Sequence, residues 1–311
     1  MRSRAVAVLL TGVLLTSSAS GCAPPIRPAS ENGHTPTASA TKDRAGLVPL
    51  NSSRDIYLTC RGTGSPIVVL ISGTGGAADE WTALPPAPSP SATDAPAVAV
   101  LPALAAHSRV CAYDRPGTAR EDGARSPTTP VPQPTTALQG AKDLHELLDV
   151  AGEHGPIVLV GASWGGMIAQ SYARTFPRRA VGLVLVDSAS TWLAQTLSAD
   201  QWRAWMAVIA AARTDSSAES PAYEPTLREF AVAGPAPALP ATVLSSDQPW
   251  DLGVTPGAST WPAWLAAQDD LANEWHALHI SATHSGHGIQ VEQPALVASA
   301  IQAVLDRARG R

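Results

Sequence analysis

The chain is poor in cysteine and in charged residues. Its 311 residues include 3 cysteines, too few for a disulfide-rich scaffold or a cysteine-rich zinc module. The 21 Lys and Arg against 26 Asp and Glu leave a formal charge of −5, which excludes the basic field that nucleic-acid binding needs. Charged residues make up 15% and hydrophobic residues 45%, so general disorder is excluded and a packed core is expected. The length fits one large domain or two small ones.

No hydrophobic run is long enough to span a membrane. The first segment places Arg2 and Arg4 before an apolar run of about a dozen residues, a pattern typical of a signal peptide. The run ends in Ala19-Ser20-Gly21-Cys22, which is similar to the lipobox of exported lipoproteins of the actinobacterial type. We therefore predict a signal peptide over 1–21, a diacylated Cys22, and a flexible Pro-, Ala-, Ser- and Thr-rich linker over 22–45. The alternative is ordinary signal cleavage, with Cys22 an incidental thiol.

The two remaining cysteines lie near the ends of predicted strands. Cys60 ends the predicted strand 56–60, and Cys111 lies in the predicted strand 109–113. Export makes disulfides possible, so the two residues are expected to pair if these strands are neighbours in the sheet. The alternative is a pair of buried free thiols.

Strand-like and helical patterns alternate from residue 46 onward. The continuous apolar runs 67–71, 157–160 and 181–186 are typical of strands buried on both faces of a parallel sheet. Helical periodicity lies between them and near the end of the chain. We predict a doubly wound, mostly parallel α/β sheet over 46–311. The segment 190–238 is too long for a simple crossover between strands. It predicts a helical cap between strands 6 and 7.

The strongest motif is Gly161-Ala162-Ser163-Trp164-Gly165, which stands between a predicted strand and a predicted helix. This is the setting of a nucleophile elbow, in which a strained serine is lifted above the edge of the sheet. The flanking glycines remove side chains that would collide in so sharp a turn. Ser163 is therefore the predicted nucleophile.

Further motifs follow in a familiar order along the chain. Residues 72–76 form a Gly-rich loop after a strand, residues 113–117 read Tyr-Asp-Arg-Pro-Gly, and Ser285-Gly286-His287-Gly288 precedes a Gln-Pro helix start. Together with the serine elbow, this order resembles the α/β-hydrolase family over residues 46–311.

The resemblance implies roles for several residues. His287 takes the role of general base, with His284 as its rival. The backbone N–H groups of Thr74 and Trp164 form an oxyanion hole, in a loop where Ser72 replaces the usual histidine. The turn that holds Asp114 and Arg115 is largely structural.

The acid of the triad has two candidate positions. Most of the family carries it after the strand beyond the cap, where Asp247 and then Asp251 stand. Another branch carries it directly after the strand before the cap, where Asp187 stands. We favour Asp187 and keep Asp247 as the alternative; either would orient the imidazole and stabilise its charged form.

The expected function is that of a serine hydrolase acting on an ester-like bond of a small, apolar substrate through an acyl-enzyme. No cofactor and no metal are expected, since a zinc site at His284 and His287 lacks a third ligand. The alternatives are a cofactor-free haloperoxidase or perhydrolase, and a non-catalytic binding lipoprotein of the same fold. The expected location is the outer face of the cell membrane, reached through the lipid anchor alone, or the medium.

Overall fold

The computed structural model describes residues 43–50, 53–85, 97–212, 216–254 and 259–310. The predicted signal peptide, Cys22 and most of the predicted linker lie outside these residues. The first strand begins at Arg44, two residues before the predicted start of the domain. Within the described ranges, no helix is both long and apolar enough to cross a membrane.

The described residues form an 8-stranded sheet in the order β1-β2-β4-β3-β5-β6-β7-β8. Strand β2 is antiparallel to both of its neighbours, and all the strands from β4 to β8 across the sheet pair in parallel. This confirms the predicted doubly wound, mostly parallel α/β sheet. The strands are β1 Arg44–Pro49, β2 Asp55–Arg61, β3 Ile67–Ile71, β4 Val110–Tyr113, β5 Ile157–Ala162, β6 Ala180–Val186, β7 Ala241–Leu244 and β8 Leu278–Ile280.

Helices cover both faces of the sheet, which explains why its central strands are apolar throughout. In β3, residues 67, 69 and 71 pack into one core cluster, whereas residues 68 and 70 pack into another, as the period of two requires. Helices α2, α3 and α7 contribute to the first cluster, and α1 and α9 to the second. The helices are α1 Val100–Ala105, α2 Ala137–Val150, α3 Trp164–Thr175, α4 Leu193–Thr196, α5 Ala199–Ala211, α6 Tyr223–Val232, α7 Trp261–Glu274, α8 Ile289–Glu292 and α9 Pro294–Arg309.

Local signals set the ends of the predicted helices. Thr136 caps α2 through a capping box with Gln139, in which each side chain bonds the other residue's backbone N–H. Pro294 opens α9, and Gly310 follows its last residue as predicted. The predicted apolar face of α9, Val297, Ile301 and Val304, is fully buried.

Cys60 and Cys111 form a disulfide bond between β2 and β4. The two residues are direct cross-strand partners in the antiparallel pairing, so the alternative of two free thiols is wrong. The bond links positions 51 residues apart. Closing a loop of that length in the unfolded chain stabilises a fold by roughly 4 kcal/mol.

Three helices, α4, α5 and α6, lie between β6 and β7, in the interval where the sequence predicts a cap. We call residues 187–240 the insert. Trp205 of α5 and Tyr223 of α6 are buried against each other, and Tyr223 also contacts Trp164 at the start of α3. The insert therefore packs onto the part of the sheet edge where the serine elbow lies.

Candidate active site

Ser163 occupies a strained turn between β5 and α3. Its φ of 49° lies in the left-handed region, which costs free energy for any residue with a side chain. A Cβ atom at Gly161 would lie 2.4 Å from the carbonyl oxygen of Gly165, and one at Gly165 would lie 2.3 Å from that of Ile71. Both glycines are thus required by close backbone approach, and the turn has the form of a nucleophile elbow.

His287 lies in the loop between β8 and α8 and contacts Asp187. Its Nδ1 atom is 2.7 Å from Oδ2 of Asp187, which directly follows β6 and is fully buried. Since an ionised carboxylate only accepts hydrogen bonds, the proton of the neutral imidazole must sit on Nδ1. The Nε2 atom is then left as a base.

The other oxygen of Asp187 is held by residues that the sequence did not single out. Oδ1 accepts hydrogen bonds from the backbone N–H of Ser246 at 3.0 Å, from the Ser246 hydroxyl at 2.9 Å and from Nε1 of Trp264 at 3.0 Å. These three bonds compensate the desolvation of a fully buried carboxylate and fix its orientation. Ser246 lies two positions after the end of β7 and one position before the alternative acid.

Asp247 has different partners. Its carboxylate accepts the backbone N–H of Ser285 at 3.0 Å and lies 3.7 Å from the ring of His284. Hydrogen bonds from the backbone around His284 lower the pKa of Asp247 below its ordinary value. The structure therefore pairs the rival residues, Asp247 and His284, with each other rather than with His287. In this loop, His284 has a φ of 53° and an exposed side chain.

Asp251 is also turned away from His287. It accepts hydrogen bonds from the backbone and hydroxyl of Thr260, and the backbone bond lowers its pKa. Thr260 directly precedes α7, so Asp251 organises the start of that helix.

Ser163 and His287 line the same cavity, which has a volume of about 210 Å³. Among the described residues, no hydrogen bond joins Ser163 Oγ to the imidazole; such bonds commonly shorten only when substrate is bound. Most of the wall is apolar and comes from the insert and from the chain after β7. The remaining lining residues are Thr74, Trp205, Val208, Ile209, Ala212, Glu219, Ser220, Pro221, Tyr223, Trp250, Leu252 and Trp264.

Two tryptophans flank the imidazole of His287. The ring of Trp250 lies 4.1 Å from it at a tilt of 35°, and that of Trp264 lies 5.4 Å away, edge to face. Trp250 therefore packs against the imidazole, and Trp264 fixes it from a second side. No motif marks these tryptophans, and only their enrichment after β7 could have drawn attention to them.

The Gly-rich loop of residues 72–76 lies beside the serine. A Cβ atom at Gly73 would lie 3.2 Å from the Cβ of Ser163. Ser72, which stands where the family carries histidine, donates to the carbonyl of Ala77 and accepts from Nε1 of Trp81, so it supports the loop from behind. Within the described part of the chain, the backbone N–H groups of Thr74 and Trp164 have no hydrogen-bond partner. Both are free to donate to a substrate oxygen.

The turn after β4 supports this loop, as predicted. Asp114 accepts the backbone N–H of Ala78 at 2.8 Å and the hydroxyl of Ser126 at 2.7 Å. Arg115 donates to backbone carbonyls of the Gly-rich loop and to Glu219 of the insert. Glu219 was not predicted, and no local pattern distinguishes it.

One group of described residues comes close enough together to hold a metal ion, namely Cys60, Cys111 and Glu153. Its two sulfur atoms are joined in the disulfide, and Glu153 is paired with Arg109. This group lies away from the cavity that Ser163 lines.

Comparison with known proteins agrees with this architecture. A model of the alpha/beta hydrolase family matches residues 68–300. The chain belongs to the alpha/beta hydrolase family. Similar solved structures include a thermophilic esterase from Thermogutta terrifontis, with a TM-score of 0.57 and 18% identity over 85% of this chain and 99% of that one. The enol-lactonase from Burkholderia xenovorans LB400 has a TM-score of 0.54 and 19% identity over 84% of this chain and 100% of that one.

A curated relative is similar over a shorter region. The probable transporter efuK of Hormonema carpetanum is 29% identical over 134 residues. The match covers 42% of this chain and 16% of that protein.

Proposed function

We propose that this member of the alpha/beta hydrolase family is a serine hydrolase that cleaves an ester-like bond through an acyl-enzyme. One observation carries the proposal: the strained Ser163 lines the same cavity as His287, and Nδ1 of His287 contacts the buried Asp187. This is the arrangement of a nucleophile, a base and an orienting acid.

In the first half of the reaction, Ser163 Oγ attacks the carbonyl carbon and its proton passes to Nε2 of His287. The carbonyl oxygen becomes an oxyanion, which the N–H groups of Thr74 and Trp164 stabilise. The intermediate then expels the alcohol, which takes the proton from His287, and the acyl group remains on Ser163. Asp187 stays ionised and stabilises the imidazolium.

In the second half, His287 removes a proton from a water molecule that attacks the acyl-enzyme. The second tetrahedral intermediate uses the same two N–H donors. Its collapse breaks the bond to Ser163 Oγ, which recovers the proton from His287. The net reaction is ester plus water to acid plus alcohol.

The walls of the cavity indicate an apolar acyl or aryl group. Trp205, Ile209 and Tyr223 on one side and Leu252 and Trp250 on the other offer a hydrophobic surface, and burying such a group contributes about 25 cal/mol per Å² of apolar area. A cavity of about 210 Å³ suits a short chain or a single ring rather than a long fatty acyl chain.

A fluorophosphonate probe tests the proposed nucleophile. Wild-type protein is expected to be labelled and the Ser163→Ala variant to be unlabelled. The control Ser299→Ala, at an exposed position of α9, is expected to be labelled like wild type. Ester turnover of Ser163→Ala should fall by at least about 10⁴-fold. Equal labelling of wild type and Ser163→Ala, both folded by circular dichroism, would contradict the proposal.

A series of p-nitrophenyl esters tests the substrate class. Turnover is expected to peak at short acyl chains and to fall when the chain outgrows the cavity. Turnover with hydrogen peroxide as the acyl acceptor, measured beside it, distinguishes a perhydrolase, which would use the same residues.

We also propose that the protein is exported and held to the membrane surface by lipid on Cys22. The disulfide Cys60–Cys111 supports export, since such bonds persist in oxidising compartments. Cells fed an alkyne fatty acid should label the wild type and not the Cys22→Ala variant. Equal absence of label from both would contradict the lipid anchor.

A further inference from the structure

The insert reaches the Gly-rich loop through one buried ion pair. Nε of Arg115 donates to Oε1 of Glu219 at 2.5 Å, and Nη2 donates to Oε2 at 2.9 Å. The side chains are only 4% and 2% exposed. Burial by itself lowers the pKa of Arg115, but the carboxylate of Glu219 raises it on balance above its ordinary value, so Arg115 is charged.

This pair bonds three backbone groups of the loop. Arg115 donates to the carbonyl of Ser72 at 2.9 Å and to that of Gly73 at 2.6 Å. Glu219 accepts the backbone N–H of Gly75 at 2.6 Å. The loop is thereby fixed on both sides of Thr74, while Thr74 itself makes no bond to the pair.

The orientation of the Thr74 N–H follows from these contacts. In a trans peptide the C=O of one residue and the N–H of the next point in opposite directions. Because the carbonyl of Gly73 points at Arg115, the N–H of Thr74 points away from Arg115. Thr74 lines the cavity that holds Ser163, so the pair aims this donor toward the reacting carbonyl.

The insert segment that carries Glu219 is itself fixed in place. The backbone N–H of Glu219 donates to the carbonyl of Gly117 at 2.9 Å. A Cβ atom at Gly117 would lie 2.4 Å from the carbonyl oxygen of Ser217, so only glycine permits this approach. Ser220, the next residue, donates its N–H to Gln133. Glu219 therefore has a defined position against the turn that bears Arg115.

We propose that Glu219 and Arg115 are positioning residues for the oxyanion hole, so that the insert contributes to stabilisation of the transition state as well as to the wall of the cavity. The inference rests on the proposed serine hydrolase function. A positioning pair differs from a merely structural ion pair in the effect of its loss. Loss of a positioning pair should weaken binding of the transition state more than binding of the substrate.

The protein contains a matched control pair at the opposite edge of the sheet. Arg109 and Glu153 precede β4 and β5, are each 2% exposed and approach to 2.5 Å. Breaking this pair also removes the buried carboxylate that a buried arginine contacts most closely, but away from the cavity. Glu153→Gln thus reports the loss of stability that a buried pair causes by itself.

The experiment compares Glu219→Gln, Arg115→Lys and Glu153→Gln with wild type, using p-nitrophenyl butyrate as substrate and an alkyl trifluoromethyl ketone as the tetrahedral analogue. Arg115→Lys keeps the charge but cannot bond a carboxylate and two carbonyls at once.

Removing one oxyanion donor outright costs about 10²–10³-fold in kcat, so misdirecting it should cost about 10- to 100-fold. Both site variants should lose kcat to this extent with KM within about twofold, and should bind the ketone correspondingly more weakly. Glu153→Gln should lose thermal stability and keep its kcat.

The inference is overturned if Glu219→Gln and Arg115→Lys, folded at the assay temperature, keep kcat and ketone affinity within about twofold of Glu153→Gln. A rise in KM without loss of kcat would also overturn it, since that result assigns the pair to substrate binding. Absence of turnover and of fluorophosphonate labelling in the wild type would instead overturn the proposed function, and this inference with it.

Discussion

Asp187 and Asp247 follow neighbouring parallel strands, yet their surroundings are opposite. Asp187, after β6, is fully buried and accepts hydrogen bonds on both oxygens. Asp247, after β7, is partly exposed and lies beside the exposed His284. Ser246, the residue before Asp247, donates instead to Asp187. The comparison shows that the end of a strand can place a carboxylate near the site, whereas the loops packed around it determine whether that carboxylate bonds to His287.

The largest expected effect comes from Asp187→Asn. An amide in this position favours the wrong tautomer of His287, and such a change lowers kcat by about 10⁴-fold in a serine triad. Steady-state ester hydrolysis measures this loss. A reduction of less than about tenfold in a folded variant would show that another group orients the histidine.

Trp264→Phe should have the next largest effect. The substitution keeps an aromatic ring, though a smaller one, beside His287 and removes the N–H that donates to Asp187. A hydrogen bond to a buried charge contributes about 1.5–3 kcal/mol, so denaturant unfolding should show a loss of this size. We expect kcat to fall by about tenfold. Unchanged stability and kcat would mean that the bond contributes nothing to holding the acid.

Ser246→Ala should have a smaller effect. It removes the hydroxyl donor but leaves the backbone N–H bond of the same residue to Asp187. We expect kcat to fall by about threefold, and the double variant with Trp264→Phe to lose more than the product of the single losses, since the two donors share one oxygen. A strictly multiplicative double variant would contradict a shared role.

Asp247→Asn should leave kcat within about twofold of wild type and change only the response to acid. The pKa of Asp247 is lowered in the folded protein, so its charge stabilises the fold above the unfolded pKa of about 3.9, and this contribution is lost as pH falls through the lower folded pKa. Melting temperatures of wild type and variant should differ at pH 6 and converge in strong acid. A large loss of kcat would restore Asp247 as the acid.

The sequence determined those parts of the protein that depend on near neighbours in the chain. The bounds of β3 were predicted to the residue, because a continuous apolar run can be buried only between two layers of helices. The serine elbow was predicted because its glycines are required by close contacts with the backbone of the same strand–turn–helix unit and of the strand beside it. Strand β1 was not predicted, since it is mostly exposed and pairs only with β2 at the edge of the sheet.

Only the tertiary structure decided which aspartate meets His287 and that Glu219 reaches the Gly-rich loop. Asp187 lies 100 residues from His287, and Glu219 lies 104 residues from Arg115. Contacts over such separations depend on how the loops at one edge of the sheet pack together, and residue order constrains that packing only weakly. The sequence therefore determines which carboxylates, imidazole and guanidinium are present, whereas the packing of the fold determines which of them form pairs.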